Sequence, residues 1–270
     1  MSDISIQLAT DPLSCRAAED LQREVWGQPE RALVPAEQIR AVVHNGGMLL
    51  LARSADEVVG FCFAFVGLED GAPILCSHML AVLPAARSQG LGRALKLAQR
   101  DVARERGFHK ITWTFDPLQA RNAYLNLHRL GAYAHHYYVD HYGAMEDDIN
   151  RGMPTDRLLA EWLIDDDQKS GAAAGSGRGL PWILPALAGA AADHAAPADP
   201  QLVHVGGGGG LVAVPASIDA VKQADRALML RWRLAVRAAL TSAFDAGLQA
   251  VDLLRDAGDG VGAYVLRRSP

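Results

Sequence analysis

The amino-acid sequence predicts an α/β (α+β) protein built on a mixed, mostly antiparallel twisted sheet flanked by helices. Two observations carry this prediction. Strand-like and helix-like stretches follow one another as β-α-α-β-β-β-α-β-α-β-β over residues 4–164. A shorter series, β-α-α-β-β, follows within residues 201–270. We therefore expect a larger domain followed by a smaller C-terminal extension.

Helix boundaries in the first third of the chain are marked by capping residues and prolines. Asp11 and Pro12 are typical of a helix start, and the helix that they open runs to about Gly27. Pro35 begins a second helix, which Asn45-Gly46-Gly47 ends. The strands that we predict around these helices are residues 4–8, 48–52, 58–66 and 73–83.

A glycine-containing segment, Arg87-Ser88-Gln89-Gly90-Leu91-Gly92, joins the last of these strands to an amphipathic helix that ends at Gly107. Two glycines allow backbone N–H groups to approach an anion, and the helix start adds the positive end of its dipole. The spacing fits neither a P-loop nor a dinucleotide-binding loop. The segment therefore predicts a binding site for a diphosphate.

The rest of the chain predicts a strand, a helix and two further strands, and then a change in composition. These elements are residues 110–115, 121–130, 133–142 and 157–164, the last of which is also compatible with a helix. Residues 165–200 are rich in Ala, Gly and Ser and predict a partly mobile linker. Gly206–Gly210 predicts a flexible hairpin tip. The domains that we expect are residues 1–164, the linker 165–200 and a half-domain over residues 201–270.

Composition excludes several classes of protein. Half of the 270 residues are hydrophobic and the net charge is −5, which argues against disorder and against a dedicated nucleic-acid binder. Three cysteines are too few for a disulfide scaffold or a zinc site. With no signal peptide or membrane span in the pattern, we expect a cytoplasmic protein with no membrane partner. Seven Lys and Arg residues between Arg87 and Lys110 indicate a solvated helix face or a phosphate-binding patch.

Two blocks of residues in the same order carry a family resemblance. Arg87, Gly90 and Gly92 follow Leu80-Ala81-Val82-Leu83-Pro84, and Ala123 to Gly131 follows later. This pattern resembles that of the GCN5-related N-acetyltransferase (GNAT) superfamily, here with a C-terminal extension. The resemblance implies the GNAT fold and transfer of an acetyl or other acyl group from acyl-CoA to an amine acceptor by direct attack in a ternary complex. A CoA-binding or regulatory module with little or no transferase activity is the alternative.

The resemblance also implies which residues bind acetyl-CoA or another acyl-CoA as cosubstrate. The backbone of Leu80, Ala81 and Val82 would pair with the pantetheine arm, and one N–H there would stabilise the oxyanion. Asn122 would contact the cofactor or cap its helix. The residues that would hold the diphosphate, mostly through main-chain N–H groups, are Arg87, Ser88, Gln89, Gly90, Leu91, Gly92 and Arg93.

The catalytic positions depart from the family pattern. Cys76 stands where a glutamate base is frequent, and His78, two residues further, is the candidate general base with an ordinary pKa suited to neutral pH. Leu127 stands where a tyrosine acid is usual, and Tyr124 is the candidate general acid. A structural role for both side chains and a water-relayed base are the alternatives.

Residues 134–142 contain three histidines and three tyrosines. Alternation along a strand would place His135, Tyr137, Val139 and His141 on one face. His135 and His141 would lie ~20 Å apart, too far to share an ion, so no metal is expected. A wall of the site for a small-molecule or peptide amine acceptor is the alternative to a plain surface strand. A homodimer is compatible with the sequence, which also leaves open what the extension does.

Overall fold

The computed structural model describes residues 4–27, 29–87, 90–144, 152–165, 177, 179–191, 194–199 and 208–268. The chain divides into two compact units. The first contains the described residues of 1–113 and 163–165. The second contains those of 114–144, 152–162 and 177–268. Among the described residues, no helix has both the length and the apolar character needed to cross a bilayer.

The first unit contains three helices and a sheet whose strands lie in the order β1-β2-β3-β4-β5. Its strands are β1 (Ile4–Leu8), β2 (Met48–Ser54), β3 (Glu57–Glu69), β4 (Ala72–Val82) and β5 (Lys110–Phe115), the last of which crosses the unit boundary after Trp113. Its helices are α1 (Pro12–Trp26), α2 (Ala36–His44) and α3 (Leu91–Glu105). Strands β1 to β4 are antiparallel, whereas β5 is parallel to β4. The predicted order of elements is confirmed.

The helix ends lie where the capping residues predicted them. The Asp11 side chain accepts a hydrogen bond from the Ser14 N–H at 2.9 Å, and Pro12 is the first residue of α1. Gly27 ends this helix in the left-handed conformation, with φ of 57°. Gly107, with φ of +77°, follows α3. Capping chemistry was therefore a sufficient guide to these boundaries.

The core of the first unit lies on both faces of its sheet. Consecutive residues of β2 from Met48 to Ala52 are all buried, which is the pattern of a strand covered on both sides. Leu21 of α1 and Ile39 of α2 are buried in this core, as is Leu95 of α3. The amphipathic helices predicted from sequence thus supply the two apolar layers.

The second unit contains a sheet in the order β7-β6-β12-β13-β11-β8 and a separate pair, β9 and β10. Ala250 of β12 pairs with Ala134 of β6, so the C-terminal strands extend the sheet of β6 and β7. Its helical elements are α4 (Ala120–Ala123), a π-helical segment (Tyr124–Arg129), α5 (Ile218–Ala224) and α6 (Arg226–Asp245). Its strands are β6 (Tyr133–Tyr138), β7 (Arg157–Leu163), β8 (Trp182–Leu184), β9 (Ala186–Ala191), β10 (His194–Pro197), β11 (Gly210–Pro215), β12 (Leu248–Leu254) and β13 (Val261–Arg268). Strand β7 crosses the unit boundary after Trp162.

A buried ion pair joins α6 to the segment after β5. The Arg233 guanidinium donates two hydrogen bonds to the Asp116 carboxylate, at 2.7 and 2.8 Å. Arg233 is only 2 % exposed. The neighbouring Trp232 is fully buried and donates to the Ala195 carbonyl at 3.0 Å. The C-terminal helix is therefore part of the core of this unit.

Three local predictions differ from the structure. The predicted helix 121–130 changes from α to π geometry at Tyr124. The predicted strand 133–142 ends at Tyr138, because the chain turns with Asp140 at φ of 46°. The predicted linker contains three strands, because Ala- and Gly-rich sequence supplies backbone hydrogen bonds as well as any other. The division into a catalytic domain, a linker and a half-domain stays a prediction.

The five-glycine segment lies only partly within the described residues. Gly208 to Gly210 are described, and Gly210 begins β11. Gly209 has a φ of +113°, a conformation that favours glycine. The hairpin tip predicted for Gly206–Gly210 as a whole therefore stays a prediction.

Candidate functional site

Strands β4 and β5 pair over a very short stretch. Their register includes Leu75↔Ile111 and Cys76↔Thr112, although β4 continues to Val82. Ser77 and Trp113 are the first residues beyond these pairs, and we call their position the fork. Past the fork, the described residues of β4 expose an edge that is not paired with β5. Backbone N–H and C=O groups on such an edge can pair with an extended ligand.

A β-bulge lies in β4 directly after the fork. Register partners are Ala64↔Ser77 and Phe63↔Met79, so His78 is an extra residue on β4. Bulges of this kind increase local twist and are frequent next to active sites. Here the bulge bends β4 where its pairing with β5 stops.

His78 lies on the surface of the first unit, against two aromatic rings. Its ring centroid is 6.3 Å from that of Phe63 and 5.8 Å from that of Phe65. Partial burial against these rings lowers the pKa of His78 below its ordinary value, because the charged form loses hydration. Phe65 is the register partner of Cys76, so these two side chains lie on the same face of the sheet. Because the His78 ring lies against the Phe65 ring, His78 shares this face with Cys76, as predicted. A neutral imidazole near neutral pH suits a proton acceptor.

The start of α3 is open to an anion. Gly90 precedes the helix with φ of 78° in the left-handed region, and among the described residues no side chain caps the first turn. A Cβ added at Gly90 would meet no atom of the described residues within 4 Å. The N–H groups of the first turn therefore keep their donors for a ligand, and the helix dipole favours negative charge there.

Most of the residues predicted to bind the cofactor lie between the fork and this helix start. Arg87 is exposed, and its Nε donates to the Val82 carbonyl at 3.1 Å. This bond holds the Arg87 side chain against the end of β4. Along these segments Ala81 and Leu91 are buried, whereas Leu80, Val82, Gly92 and Arg93 are half-buried. Ser88 and Gln89 lie outside the described residues.

A buried lysine lies at the fork, and sequence reasoning missed it. The Lys96 Nζ donates to the Ser77 Oγ at 2.9 Å and to the Gln99 Oε1 at 2.8 Å. It also lies 3.6 Å from the centroid of the Trp113 ring. Ser77 and Trp113 are the two residues that define the fork. Lys96 is only 2 % exposed, so the solvated helix face expected here does not include it.

Burial changes the electrostatics of this cluster. Loss of hydration lowers the pKa of Lys96 to about 8. The Cys62 thiol lies 3.8 Å from the Ser77 Oγ, and burial raises its pKa. A signal for this cluster was present in the sequence. Gln99 lies four residues after Leu95 and four residues before Ala103, and residues at this spacing share one face of a helix. A polar side chain therefore lies on the apolar face of α3.

Cys76 is the last residue of β4 that pairs with β5. The Thr112 Oγ1 donates to its Sγ at 3.7 Å. Cys76 is half-buried, and its thiol is held by the neighbouring strand. This contact indicates a packing role for Cys76, which stands where a glutamate is frequent in the family.

Tyr124 begins the π-helical segment of the second unit. Its ring stacks on that of His128, with centroids 4.5 Å apart and an interplanar angle of 17°. Residues four apart are neighbours on a helix face, so these two rings can stack. Tyr124 is the candidate because Leu127 stands where a tyrosine is usual in the family. Leu127 is instead fully buried. Single π turns inside helices are frequent at functional sites.

The C-terminal extension supplies two residues to this aromatic pair. Asp252 of β12 is buried, and its Oδ1 atom lies 3.0 Å from the Nδ1 atom of His128. The Arg255 guanidinium lies 5.2 Å from the centroid of the Tyr124 ring. The carboxylate thus contacts one ring of the pair and the guanidinium the other. Asn122 is exposed and is the third residue of α4, which begins after Gln119, so the predicted helix cap is wrong.

The segment that contains this geometry matches a known protein family. Residues 15–132, less than half of the chain, match the model of the Acetyltransferase (GNAT) family. This segment is a GNAT acetyltransferase domain. It includes β4, the fork, Gly90 and Tyr124. Residues 15–132 therefore have the GNAT fold, and both the predicted family and the predicted fold class are confirmed.

Solved structures with a similar fold share little sequence. The ribosomal-protein-S18-alanine N-acetyltransferase from Escherichia coli is 16% identical, with a TM-score of 0.49, covering 60% of this chain and 94% of that one. A GNAT family acetyltransferase from Elizabethkingia anophelis with acetyl-CoA bound is 18% identical, with a TM-score of 0.44 and coverage of 60% and 99%. Arabidopsis thaliana NAA60 in complex with a bisubstrate analogue is 14% identical, with a TM-score of 0.47 and coverage of 60% and 98%.

A search among curated proteins found no significant match. The family model therefore decides the general chemistry, which is acyl transfer from an acyl-CoA. Substrate identity depends on the residues of the site and not on the family.

Proposed function

We propose that this protein is an N-acyltransferase that moves an acetyl or other acyl group from acyl-CoA to an amine acceptor by direct attack in a ternary complex. The observation that carries the proposal is the combination of the fork with the open start of α3. The edge of β4 past Ser77 and the helix start after Gly90 are joined by residues 83–89. Together they suit a ligand with an extended amide arm and a diphosphate.

The residues present fit such a donor. Backbone groups of Leu80, Ala81 and Val82 would pair with the arm, and the N–H groups after Gly90 would bind the diphosphate. Arg87 is held at the end of β4 by its bond to the Val82 carbonyl, where its charge supports anion binding. Asn122, exposed on α4, stays a prediction as a cofactor contact.

Acyl transfer needs a proton acceptor and a proton donor. In the proposed reaction the amine nitrogen bonds to the thioester carbonyl carbon, the carbon–sulfur bond breaks, and sulfur keeps the electron pair. His78 would accept the ammonium proton, directly or through water, since its lowered pKa keeps it neutral near pH 7. Tyr124 would donate a proton to the departing thiolate. Its orientation is held by the stack on His128.

A CoA-binding or regulatory module is the second candidate. Two positions where catalytic groups are frequent in the family are occupied here by Cys76 and Leu127. The Cys76 thiol accepts a hydrogen bond from Thr112, and Leu127 is buried, so both substitutions favour this candidate. The acceptor in the first candidate is an amine on a small molecule or a peptide.

Release of free thiol from acetyl-CoA distinguishes the two candidates. The assay uses the full chain with a panel of polyamine, amino-acid, aminoglycoside and peptide amines, and a thiol-reactive dye as the readout. We expect amine-dependent thiol release for at least one class of acceptor. Binding of acetyl-CoA without any amine-dependent release would favour the module, and no binding would contradict both candidates.

A further inference from the structure

Two consecutive histidines on β6 face the same side of the strand. In an unbroken strand, neighbouring side chains point to opposite faces. Here the ring centroids of His135 and His136 are only 4.0 Å apart. The cause is a register shift between β6 and β7. Tyr133 pairs with Glu161, whereas His136 pairs with Leu159, so β6 has one residue more than its partner. Such a bulge redirects one side chain.

A buried carboxylate lies beside these two rings. Glu161 of β7 is 4 % exposed, and its Oε1 is 3.1 Å from the His135 Nδ1. One ligand atom from each of His135, His136 and Glu161 lies within 4.8 Å of the other two. All three residues belong to the second unit. We propose that they bind a divalent transition metal ion, with Zn²⁺ as the best match.

The chemistry of the donor set supports Zn²⁺. Imidazole nitrogens and a carboxylate oxygen are among its usual ligands, and two histidines with one glutamate leave a fourth tetrahedral position for water or a substrate atom. Bonds of about 2.0–2.2 Å to Zn²⁺ place tetrahedral donors roughly 3.3–3.6 Å apart. The His135–Glu161 pair, at 3.1 Å, is already close to this spacing. His136 is exposed, so its side chain can rotate to close the remaining gap.

Neighbouring groups hold the buried half of the site in place. The Tyr133 ring stacks on His135, with centroids 5.9 Å apart and an interplanar angle of 16°. Glu161 lies on β7, flanked by the buried Ala160 and Trp162. A site with two fixed ligands and one adjustable ligand is suited to reversible binding of the ion. The residue pattern relates His135 to His141 and does not reveal this set, because the bulge depends on pairing with β7.

Calorimetric titration with Zn²⁺ tests the proposal. The experiment uses untagged full-length protein, freed of metal with a chelator and kept reduced. We expect one ion per chain with a Kd in the micromolar range or tighter. His136→Ala changes an exposed side chain and leaves the fold intact, and it should weaken binding by more than about 100-fold, beyond the loss typical of an outer-shell partner. Glu161→Gln should have a similar effect.

His141→Ala is the matched control, since His141 is an exposed histidine just past the same strand. It should bind Zn²⁺ like the wild type. Titration with Co²⁺ adds a readout of coordination, because intense visible absorption is expected from a four-coordinate ion and should disappear in His136→Ala. Absence of binding in the micromolar range, or equal binding by the wild type and His136→Ala, would overturn the proposal. The test needs no acyl-CoA, so its outcome is independent of the proposed function.

Discussion

Lys96 and Ser77 meet at the point where β4 and β5 separate, with the Lys96 Nζ donating to the Ser77 Oγ at 2.9 Å. The Trp113 ring covers the same ammonium group from β5. One buried cation therefore contacts both residues that define the fork. We infer that this contact sets the opening between the strands.

The first prediction concerns Lys96 and pH. Its pKa is about 8 in the folded chain, against an ordinary value of 10.5. Between these pH values the unfolded chain binds more protons than the folded chain, so the free energy of unfolding rises with pH. Below about pH 8 the contribution of Lys96 to the free energy of unfolding does not change with pH. The free energy of unfolding of the wild type should therefore increase relative to Lys96→Met between about pH 8 and 10.5. Urea denaturation at several pH values measures this.

Lys222→Met serves as its control, because it removes a half-buried lysine of α5 instead of the fully buried lysine at the fork. For this variant, the difference from the wild type should not change with pH over the same range. A pH-independent difference for Lys96→Met would show that Lys96 titrates as in the unfolded chain.

A second prediction concerns the buried pair of Asp116 and Arg233. Asp116→Asn leaves the Arg233 guanidinium buried without its counter-charge, and it should cost about 3–5 kcal/mol of stability. Adding Arg233→Met should recover part of this loss, because the uncompensated charge is then gone. Chemical denaturation of the single and double variants checks this. A double variant as unstable as the sum of the two single variants would contradict the account.

An exposed ion pair provides the comparison. Asp101 and Arg104 lie 3.5 Å apart on the solvent side of α3, with more than a third of each side chain exposed. Asp101→Asn should change the denaturation midpoint much less than Asp116→Asn does, since exposed pairs contribute little.

How far the sequence predicts the structure depends on the kind of signal. Asp11, Pro35 and Gly107 mark helix ends because capping is a local property of the chain. The order of elements also follows from local patterns. The bulges at His78 and at His135 depend on pairing with a neighbouring strand, so no local pattern contains them.

Burial of charged residues was the least predictable property. Lys96 and Arg233 are residue types that are usual on a solvated helix face. Both are buried instead, because they contact partners that lie 19 and 117 residues away in the chain. Asp252 lies 124 residues from His128, whose ring it orients. Contacts of this kind are tertiary, and they decide the electrostatics of the candidate site.

A third prediction concerns His78 as general base. Because its pKa is below the ordinary value, kcat/KM for acyl transfer should rise with pH only up to that lowered pKa and then stay level. His78→Gln should remove this acidic limb and lower kcat/KM by roughly 100-fold or more. The pH–rate profile is the measurement. His109→Gln, at an exposed histidine of the same unit, should leave both properties unchanged. An unaltered profile in His78→Gln would exclude the assignment.

The fourth prediction concerns Tyr124. Tyr124→Phe removes only the hydroxyl group and keeps the ring that stacks on His128. If the hydroxyl donates a proton to the thiolate, kcat should fall by roughly 10-fold or more while the KM for acyl-CoA stays similar. Steady-state kinetics with Tyr138→Phe as control separate this from a general effect on folding. Unchanged kcat in Tyr124→Phe would assign the residue to packing.

Titration of acetyl-CoA into two alanine variants tests the central claim most directly. Gly90 and Gly107 have φ values of +78° and +77°, and at either position an added Cβ meets no atom within 4 Å. Alanine in the left-handed region should therefore cost similar stability, about 1–2 kcal/mol, at either end of α3. Gly90→Ala places its Cβ at the proposed diphosphate site and should bind acetyl-CoA about tenfold or more weakly than Gly107→Ala. Equal affinity of the two variants, or no binding by the wild type, would contradict an acyl-CoA site at this helix start.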